Sequence, residues 1–403
     1  MEKELPEGFR ENVMGRGDID GASLLAALDG PATTSVKINR RKGASALAAG
    51  INAVEELTGY EGLEPVPWCG SGFYLPERRP FTLNPLMHGG VFYVQEPASM
   101  IYESIVARHA AGMPPGLALD MCAAPGGKST SIINALPDGW RLVANEFVPS
   151  RAAVLRENLI KWGYPDITVT NADTAAFART PLFSIVAVDA PCSGEGMMRK
   201  EPVARTQWSP ALVRQCAALQ KNILANAVDA LLPGGLLIYS TCTFNTTEND
   251  DNLQWLIDSH GLEPVELAVP GVAAGTALRF MPHITRAEGL FVALLRKPGA
   301  LQTPKKSVKN LERILKGCRI LADGIPEELA PFATDFDMNK YPVADITLET
   351  ALDYLRHNAL RLPDDAPRGL TVVAYKGHPL GFVKNIGNRA NNMYPKEWRI
   401  RNL

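Results

Sequence analysis

Two cysteines lie directly beyond short apolar runs, where a thiol can act as a nucleophile. Cys242 follows the run 236–239 in Ser-Thr-Cys-Thr-Phe, and Cys192 follows the run 185–188 in Asp-Ala-Pro-Cys-Ser-Gly. Short apolar runs bounded by glycine, proline and serine predict buried parallel strands. Ligands bind at the carboxyl ends of such strands, so neighbouring strands would bring both thiols over one pocket. A lone cysteine is usually a small buried side chain, but two in this setting predict a reactive pair.

Such a thiol suits the methylation of a cytosine ring at carbon 5. That carbon is too weak a nucleophile to attack a methyl sulfonium, but a thiolate added at carbon 6 turns the ring into an enamine. The pocket must lower a thiol pKa from about 8.5. Asp189 would hydrogen-bond ring nitrogen 3, and a base would remove the carbon 5 proton before the thiol leaves. Chain order does not reveal which thiol attacks, and the target base must be single-stranded or flipped out.

A glycine-rich turn predicts where a ligand binds. A strand at 117–119 leads into Asp120, then into the turn 122–128 (Cys-Ala-Ala-Pro-Gly-Gly-Lys), and a helix opens at Ser129. Backbone N–H groups at such a helix start approach a ligand closely. Cys122 stands where a P-loop requires its first glycine, and the Gly-x-Gly-x-x-Gly fingerprint of dinucleotide sites is absent. The turn therefore suits a ligand with a carboxylate and an amine.

Acidic residues at the ends of the next two strands indicate which other groups this ligand carries. Glu146 ends the strand 141–145, at the place where an acid hydrogen-bonds ribose hydroxyls. Asp173 follows the strand 167–170, where an adenine ring should lie, and can accept from its exocyclic amine. A ligand that has an amino-acid end and a ribose is S-adenosylmethionine.

Strands alternate with helices along residues 95–297, which predicts a doubly wound sheet. The other predicted elements are helices at 95–110, 150–162 and 209–232, a strand at 184–189, and a closing hairpin at 279–283 and 289–295. Asn245 and Glu248 have the spacing of a capping box for a helix that runs to Ser259.

The N-terminal region ends near residue 85 and carries a basic run. Residues 44–57 show a helical pattern that contains Gly50. Between residues 36 and 42 four of seven residues are basic: Lys37, Arg40, Arg41 and Lys42. Such a run predicts either a solvated edge or a contact with phosphate.

The C-terminal region is basic and rich in β signals. Residues 371–375 and 380–383 predict a hairpin. Residues 375–403 hold six Lys or Arg against one Glu, interleaved with Phe382, Tyr394 and Trp398. A basic, aromatic β module suits RNA, where base stacking and phosphate contacts supply affinity.

Composition indicates a globular protein of a reducing compartment. Hydrophobic residues make up 46% of the 403 residues, and the net charge of −2 gives no global field for a nucleic acid. The six cysteines form no Cys-x-x-Cys pair, which argues against a metal site or a disulfide framework. We find neither a signal-peptide core nor a run of about 18 apolar residues. We expect a cytoplasmic monomer with no membrane contact.

Three motifs carry a family resemblance: residues 122–128, residues 189–196 (Asp-Ala-Pro-Cys-Ser-Gly-Glu-Gly) and residues 240–243 (Ser-Thr-Cys-Thr). In this order they resemble the RNA 5-methylcytosine methyltransferases of the RsmB/RsmF/NSUN family. Arg-Phe-Met-Pro-His at 279–283 and Glu-Gly-Leu-Phe-Val-Ala at 288–293 are similar to its last motif. The resemblance spans residues 30–297. Gly-Phe-Val-Lys at 381–384, Gly-Asn-Arg at 387–389 and Tyr-Pro-Lys at 394–396 resemble the tail of the RsmF branch, which is longer than here.

The resemblance implies an α/β fold with a Rossmann-like, doubly wound methyltransferase domain at residues 86–297. It implies an N-terminal α+β RNA-binding extension at 1–85, then a linker and a C-terminal PUA-like, β-rich RNA-binding domain at 298–403. It also implies that Cys242 is the nucleophile, that Cys192 assists product release, and that Lys128 lies near the base and Asp189. The implied S-adenosylmethionine-binding residues are Cys122, Ala123, Ala124, Pro125, Gly126, Gly127, Lys128, Glu146, Asp173 and Asp189.

The resemblance favours methylation of small-subunit ribosomal RNA, as naked RNA or in the assembled subunit. The same chemistry on transfer RNA is the nearest alternative. A ribosome-assembly factor that binds RNA without catalysis would be expected to lack Cys242 or Asp189, and both are present. An enzyme driven by a nucleoside triphosphate is disfavoured, because the glycine that opens a P-loop is missing.

Overall fold

The computed structural model of the chain describes residues 4–302, 307–363 and 365–401, without the side chain of residue 308. Residues 1–3 of the predicted N-terminal region lie outside the described residues, as do residues 303–306, 364 and 402–403 of the predicted C-terminal region. Within the described ranges the strands form a central nine-stranded sheet, two four-stranded sheets and one two-stranded sheet.

The N-terminal region is a small antiparallel sheet with surrounding helices. Its elements are α1 (Glu7–Met14), α2 (Gly21–Leu28), β1 (Thr34–Ile38), α3 (Ala44–Ala49), α4 (Ile51–Thr58), β2 (Glu64–Pro65), β3 (Gly72–Leu75), α5 (Pro85–His88) and β4 (Phe92–Val94). The strand order is β2-β3-β1-β4, so this sheet continues past the predicted boundary at residue 85. The helical pattern at 44–57 forms two helices, because Gly50 has a φ of 99° in the left-handed region.

The central region is the doubly wound sheet that the sequence predicts. Its elements are α6 (Ile101–Ala110), β5 (Leu117–Asp120), α7 (Gly127–Ala135), β6 (Arg141–Asn145), α8 (Pro149–Trp162), β7 (Ile167–Asn171), β8 (Phe183–Asp189), α9 (Pro202–Gln207), α10 (Pro210–Ala230), β9 (Leu231–Thr241), α11 (Asp250–His260), β10 (Glu263–Val265), β11 (Leu267–Val269), β12 (Val272–Gly275), β13 (Ala277–Phe280), β14 (Leu290–Arg296), α12 (Ser307–Leu315) and β15 (Arg319–Asp323). The strand order is β10-β14-β9-β8-β5-β6-β7-β15, with β13 paired to β14. Strands β5 to β9 are parallel, and β13 with β14 confirms the predicted hairpin.

Both faces of this sheet are covered, as the alternation along β8 shows. Ile185 and Ala187 pack into one core with residues of α6, α7 and α8. Val186 and Val188 pack into another core with residues of α10 and α11. Chain order reverses between β5 and β8, and ligands of open α/β sheets bind at the carboxyl ends of strands at such a reversal.

The C-terminal region is a second small β domain. Its elements are β16 (Val343–Asp345), α13 (Leu348–Leu355), β17 (Gly369–Tyr375), β18 (His378–Asn385) and β19 (Ala390–Asn392). The strand order is β16-β17-β18-β19, and β17 with β18 confirms the predicted hairpin. Phe382, Tyr394 and Trp398 are all buried, so the prediction that these aromatics stack on RNA bases is wrong. Among the helices of the described residues, none combines the length and apolarity required to cross a membrane.

Candidate active site

The two loops that carry the cysteines leave neighbouring strands at the same level. β8 and β9 pair in parallel with Asp189 opposite Ser240, and the N–H of Ala190 donates to the carbonyl of Ser240 at 2.9 Å. The Sγ atoms of Cys192 and Cys242 lie 3.1 Å apart, and both residues are free thiols. The expectation that the two apolar runs bring the thiols together is confirmed.

The thiol of Cys192 is strongly affected by its surroundings. The pKa of Cys192 is raised well above its usual range, first because of its hydrogen bond with Cys242 and then because of burial. The charges of Glu248 and Asp189 raise it further. A thiol with a raised pKa keeps its proton and can donate it to the neighbouring sulfur. Cys192 therefore holds its proton tightly beside the Cys242 sulfur.

Glu195, from the loop of Cys192, holds the loop of Cys242. Its carboxylate accepts from the N–H of Phe244 at 2.6 Å and from the N–H of Asn245 at 2.9 Å. It also accepts from Trp208 Nε1 at 3.0 Å. Burial raises the pKa of Glu195, and these donors oppose that shift. Because the carboxylate is 2% exposed, the tie between the loops is shielded from water.

Glu248, from the other loop, makes the reciprocal tie. It is fully buried and accepts from the N–H of Ser193 at 3.0 Å and from the Ser193 hydroxyl. Gln220 Nε2 donates to it at 2.8 Å. The predicted capping box is present only in part: Asn245 caps the N–H of Glu248 at 2.8 Å, but α11 begins two residues later. Glu248 thus fixes the residue that follows Cys192.

Gly196 completes the contact between the loops by its lack of a side chain. Its N–H donates to the carbonyl of Cys242 at 2.8 Å. A Cβ at this position would lie 3.0 Å from that carbonyl oxygen and 3.0 Å from the carbonyl of Gly289. Backbone approaches this close favour glycine, so packing accounts for the glycine at position 196.

Asp189 and Lys128 form an ion pair at the end of β8. Lys128 Nζ lies 2.8 Å from Asp189 Oδ2, and the two side chains are 15% and 30% exposed. Burial is the largest influence on Lys128 and lowers its pKa, but the charge and hydrogen bond of Asp189, helped by Cys242, outweigh burial and raise it. Ser240 Oγ donates to the other oxygen of Asp189 at 2.6 Å and lies 2.8 Å from the hydroxyl of Tyr102. Both oxygens of Asp189 are therefore fixed.

A cavity of about 250 Å³ opens beside this ion pair. It is lined by the turn 122–128 except Gly126, by Asp189, and by residues 93–96 of the N-terminal region. Gly126 has a φ of 115° and turns the chain into α7. Neither Cys192, Cys242, Glu146 nor Asp173 belongs to its lining. The cavity therefore lies between Asp189 and the glycine turn, which ends at Lys128.

Three acids follow the parallel strands on this side of the sheet. Asp120 is buried, its Oδ2 accepts from Ser129 Oγ at 2.7 Å, and its Oδ1 has no partner among the described residues. Burial raises the pKa of Asp120 to about 7. Glu146 is buried and accepts from the N–H of Val148 at 2.9 Å, and Asp173 is exposed and caps a short 3-10 helix. An unpartnered acceptor beside a glycine turn fits a ligand that donates hydrogen bonds, such as an amino group or a ribose.

The sequence missed the residues that hold the two loops together. Tyr102 lies on a helix that follows no motif, and Gln220 lies in the middle of α10. Glu195 stands inside the Pro-Cys motif, and this position is the signal that the sequence gives for it. A charged residue placed among small loop residues predicts nothing about its partners until the fold is known.

The fold and the family of this chain are those of methyltransferases that use S-adenosylmethionine. The chain belongs to the RsmB/F family. Residues 113–296 match the family described as "16S rRNA methyltransferase RsmB/F". Residues 5–97 match the "N-terminal domain of 16S rRNA methyltransferase RsmF", and residues 341–400 match the "Methyltransferase RsmF PUA domain".

Several relatives carry the name "Ribosomal RNA small subunit methyltransferase F", among them the following three proteins. The protein of Escherichia coli O9:H4 (strain HS) is 32% identical over 446 aligned positions, which cover 93% of this chain and 92% of that protein. That of Aliivibrio fischeri (strain MJ11) is 30% identical over 98% of this chain and 97% of its own length. That of Pectobacterium atrosepticum is 37% identical over 74% of this chain and 63% of its own length. Because 446 aligned positions exceed 403 residues, the Escherichia coli protein has internal segments that this chain lacks.

Two crystal structures from Pyrococcus horikoshii share the fold. One is NSun6 with SFG, with a TM-score of 0.60 and 19% identity over 73% of this chain and 99% of that one. The other is described as a methyltransferase homolog protein, with a TM-score of 0.60 and 23% identity over 72% of this chain and 95% of that one. Both similarities place the fold among the methyltransferases.

Proposed function

We propose that this chain methylates carbon 5 of a cytosine in small-subunit ribosomal RNA, with Cys242 as the nucleophile and Cys192 as the group that assists release. The observation that carries the proposal is the sulfur–sulfur distance of 3.1 Å beside the Lys128–Asp189 ion pair. The names of the three relatives support the choice of RNA.

Cys242 begins the reaction. Its thiolate adds to carbon 6 of the ring, which forms a sulfur–carbon bond and makes carbon 5 nucleophilic. Lys128 supplies a positive charge that interacts with Cys242, and the Cys192 sulfur lies 3.1 Å from the Cys242 sulfur. S-adenosylmethionine supplies an electrophilic methyl group at this point.

Asp189 holds the pyrimidine edge of the target base. Its two oxygens are oriented by Lys128 and Ser240, and the cavity exposes the carboxylate to a ligand. A proton taken up from solvent as the base binds would lie between the carboxylate and nitrogen 3. Nitrogen 3 would keep this proton while the thiolate adds to carbon 6 and the electrons of the double bond between carbons 5 and 6 move into the ring, and it would lose the proton again when the product is released. Between turnovers, the ion pair with Lys128 keeps the Asp189 carboxylate charged and in place.

Cys192 acts in the second half of the reaction. Its pKa is raised chiefly by the hydrogen bond with Cys242, and this cause disappears once the Cys242 sulfur is bonded to carbon. Cys192 can then lose its proton to solvent and take the proton from carbon 5. The electrons of that carbon–hydrogen bond re-form the double bond between carbons 5 and 6, and Cys242 leaves as a thiolate.

We also propose which parts bind the cofactor and the RNA. The turn 122–128, with Glu146, Asp173 and Asp189, would hold S-adenosylmethionine through its amino-acid end, ribose and adenine. The N-terminal and C-terminal regions would bind RNA, chiefly through phosphate contacts, since the C-terminal aromatics Phe382, Tyr394 and Trp398 are buried. The enzyme would act as a monomer in the cytoplasm.

The proposal is tested by offering labelled S-adenosylmethionine and three RNAs to the purified protein. These are small subunits that lack the modification, naked small-subunit ribosomal RNA, and transfer RNA. We expect label at one or a few cytosines of the small-subunit RNA, mapped by bisulfite sequencing. If only transfer RNA is labelled, the ribosomal target is wrong and the substrate is transfer RNA. Bound cofactor without label in any RNA would indicate an RNA-binding factor without catalysis.

A further inference from the structure

Lys37 is a lysine that the N-terminal region buries against the turn of the central sheet. It lies on β1 and has no exposed surface. Its Nζ donates to Thr130 Oγ1 at 2.7 Å, to Ser131 Oγ at 2.6 Å and to the carbonyl of Gly127 at 3.1 Å. Both predictions for the basic run are therefore wrong at this residue, because a fully buried ammonium is neither solvated nor able to reach a phosphate.

Burying a charged group at this position has a high cost in free energy. Burial lowers the pKa of Lys37 to about 7, and the nearby charge of Glu103 opposes that shift. Within the described residues no carboxylate accepts a hydrogen bond from Lys37. The ammonium also lies at the first turn of α7, the positive end of the helix dipole. An apolar side chain would fill the same space at lower cost if packing were all that mattered.

One partner of Lys37 belongs to the wall of the cavity beside the glycine turn, which is the proposed cofactor cavity. Gly127 lines this cavity and is followed by Lys128, which pairs with Asp189. Ser131 also bonds to Gln95 of the N-terminal region, with the Gln95 Nε2 at 3.3 Å from its hydroxyl. Gln95 lines the same cavity. The N-terminal region thus touches this wall at two points.

We propose that Lys37 is a positioning residue for the cofactor: it fixes the turn at Gly127 so that the N-terminal region forms part of the S-adenosylmethionine site. The inference rests on the proposed placement of the cofactor at the turn 122–128, and it is independent of the RNA target. Removing the ammonium would take away the donor that joins the Gly127 carbonyl to the N-terminal region, and the turn could then relax. The contacts that remain to this carbonyl come from Thr130 Oγ1 at 2.7 Å and Ser131 Oγ at 3.3 Å, within α7 itself.

Lys37→Met is compared with Lys42→Met as a matched control. Lys42 belongs to the same basic run and donates to the carbonyls of Gly89 at 2.8 Å and Lys161 at 2.7 Å, and neither acceptor lines the cofactor cavity. Both variants lose hydrogen bonds between the two regions, so both should lower the melting temperature. Only Lys37→Met should weaken S-adenosylmethionine binding in calorimetry, by about tenfold, while Lys42→Met stays within about twofold.

Kinetics separate positioning from loss of folded protein. Lys37→Met should raise the KM for S-adenosylmethionine and leave both the KM for RNA and the kcat at saturating cofactor close to wild type. Equal cofactor affinity in Lys37→Met and the wild type, or equal weakening in both lysine variants, would overturn the inference.

Two further variants keep the test decisive. If Lys37→Met does not fold, Ser131→Ala removes one of its acceptors and should weaken cofactor binding about threefold, and unchanged binding there would overturn the inference. Glu146→Ala tests the cofactor placement itself. Normal cofactor binding in Glu146→Ala would disprove the placement, whereas weak binding there with normal binding in Lys37→Met would disprove only the role of Lys37.

Discussion

Replacing Cys242 with alanine is expected to lower methyl transfer to RNA by about 10⁴-fold or more, the scale seen when a catalytic nucleophile is removed. Without the sulfur–carbon bond at carbon 6, carbon 5 of cytosine stays too weak a nucleophile to take the methyl group. The rate is measured with labelled S-adenosylmethionine in single-turnover reactions. Cofactor binding should be preserved, because Cys242 is not among the residues proposed to hold S-adenosylmethionine.

Cys216→Ala is the matched control for this variant. Cys216 lies on α10, and burial raises its pKa to about 11, so it is an inert thiol of the same protein. Its replacement should leave the rate within about twofold of wild type. Retention of more than a few per cent of the activity by Cys242→Ala would contradict the assignment of the nucleophile.

Asp189→Asn is expected to lower the chemical rate by about 10²- to 10⁴-fold, as for a lost general acid–base group. Asparagine keeps the shape of the side chain, but it places an amide N–H₂ where either Lys128 or Ser240 now donates. It can neither balance the charge of Lys128 nor hold a proton against ring nitrogen 3. The single-turnover rate at saturating cofactor reports this loss.

The control for this prediction is the affinity for the cofactor. Asp189 lines the cofactor cavity, so calorimetry with S-adenosylmethionine shows how much of the effect is binding. A rate constant within fivefold of wild type at saturating cofactor would show that Asp189 serves binding and not chemistry.

The central sheet was predictable because its strands are continuous apolar runs with turn residues at both ends. β15 was not, since three of its five residues are exposed and Ile320 is 47% exposed. A strand at the edge of a sheet with one wet face leaves little apolar signal in the sequence. The helical pattern at 44–57 contains Gly50, which indicated a possible break. The structure shows that Gly50 has a φ of 99° and divides the pattern into two helices.

The parts of the site that lie within short sequence motifs could be predicted. The contacts between loops that are distant in the sequence could not. Cys192 and Cys242 each follow a strand, so their proximity follows from strand order. The ties made by Glu195 and Glu248 join residues about fifty positions apart, and no local pattern encodes them. Lys37 shows the same limit, because a run of basic residues does not tell which of them the fold will bury.

The most direct test of the proposed roles uses the Cys192→Ala variant with S-adenosylmethionine and the RNA substrate, followed by a denaturing gel. If Cys242 attacks and Cys192 assists release, a covalent protein–RNA adduct should accumulate in Cys192→Ala and be absent from Cys242→Ala and from the double variant. Sequencing of the trapped RNA would then identify the target cytosine. An adduct in Cys242→Ala but not in Cys192→Ala would contradict the account, because it would exchange the roles of the two thiols.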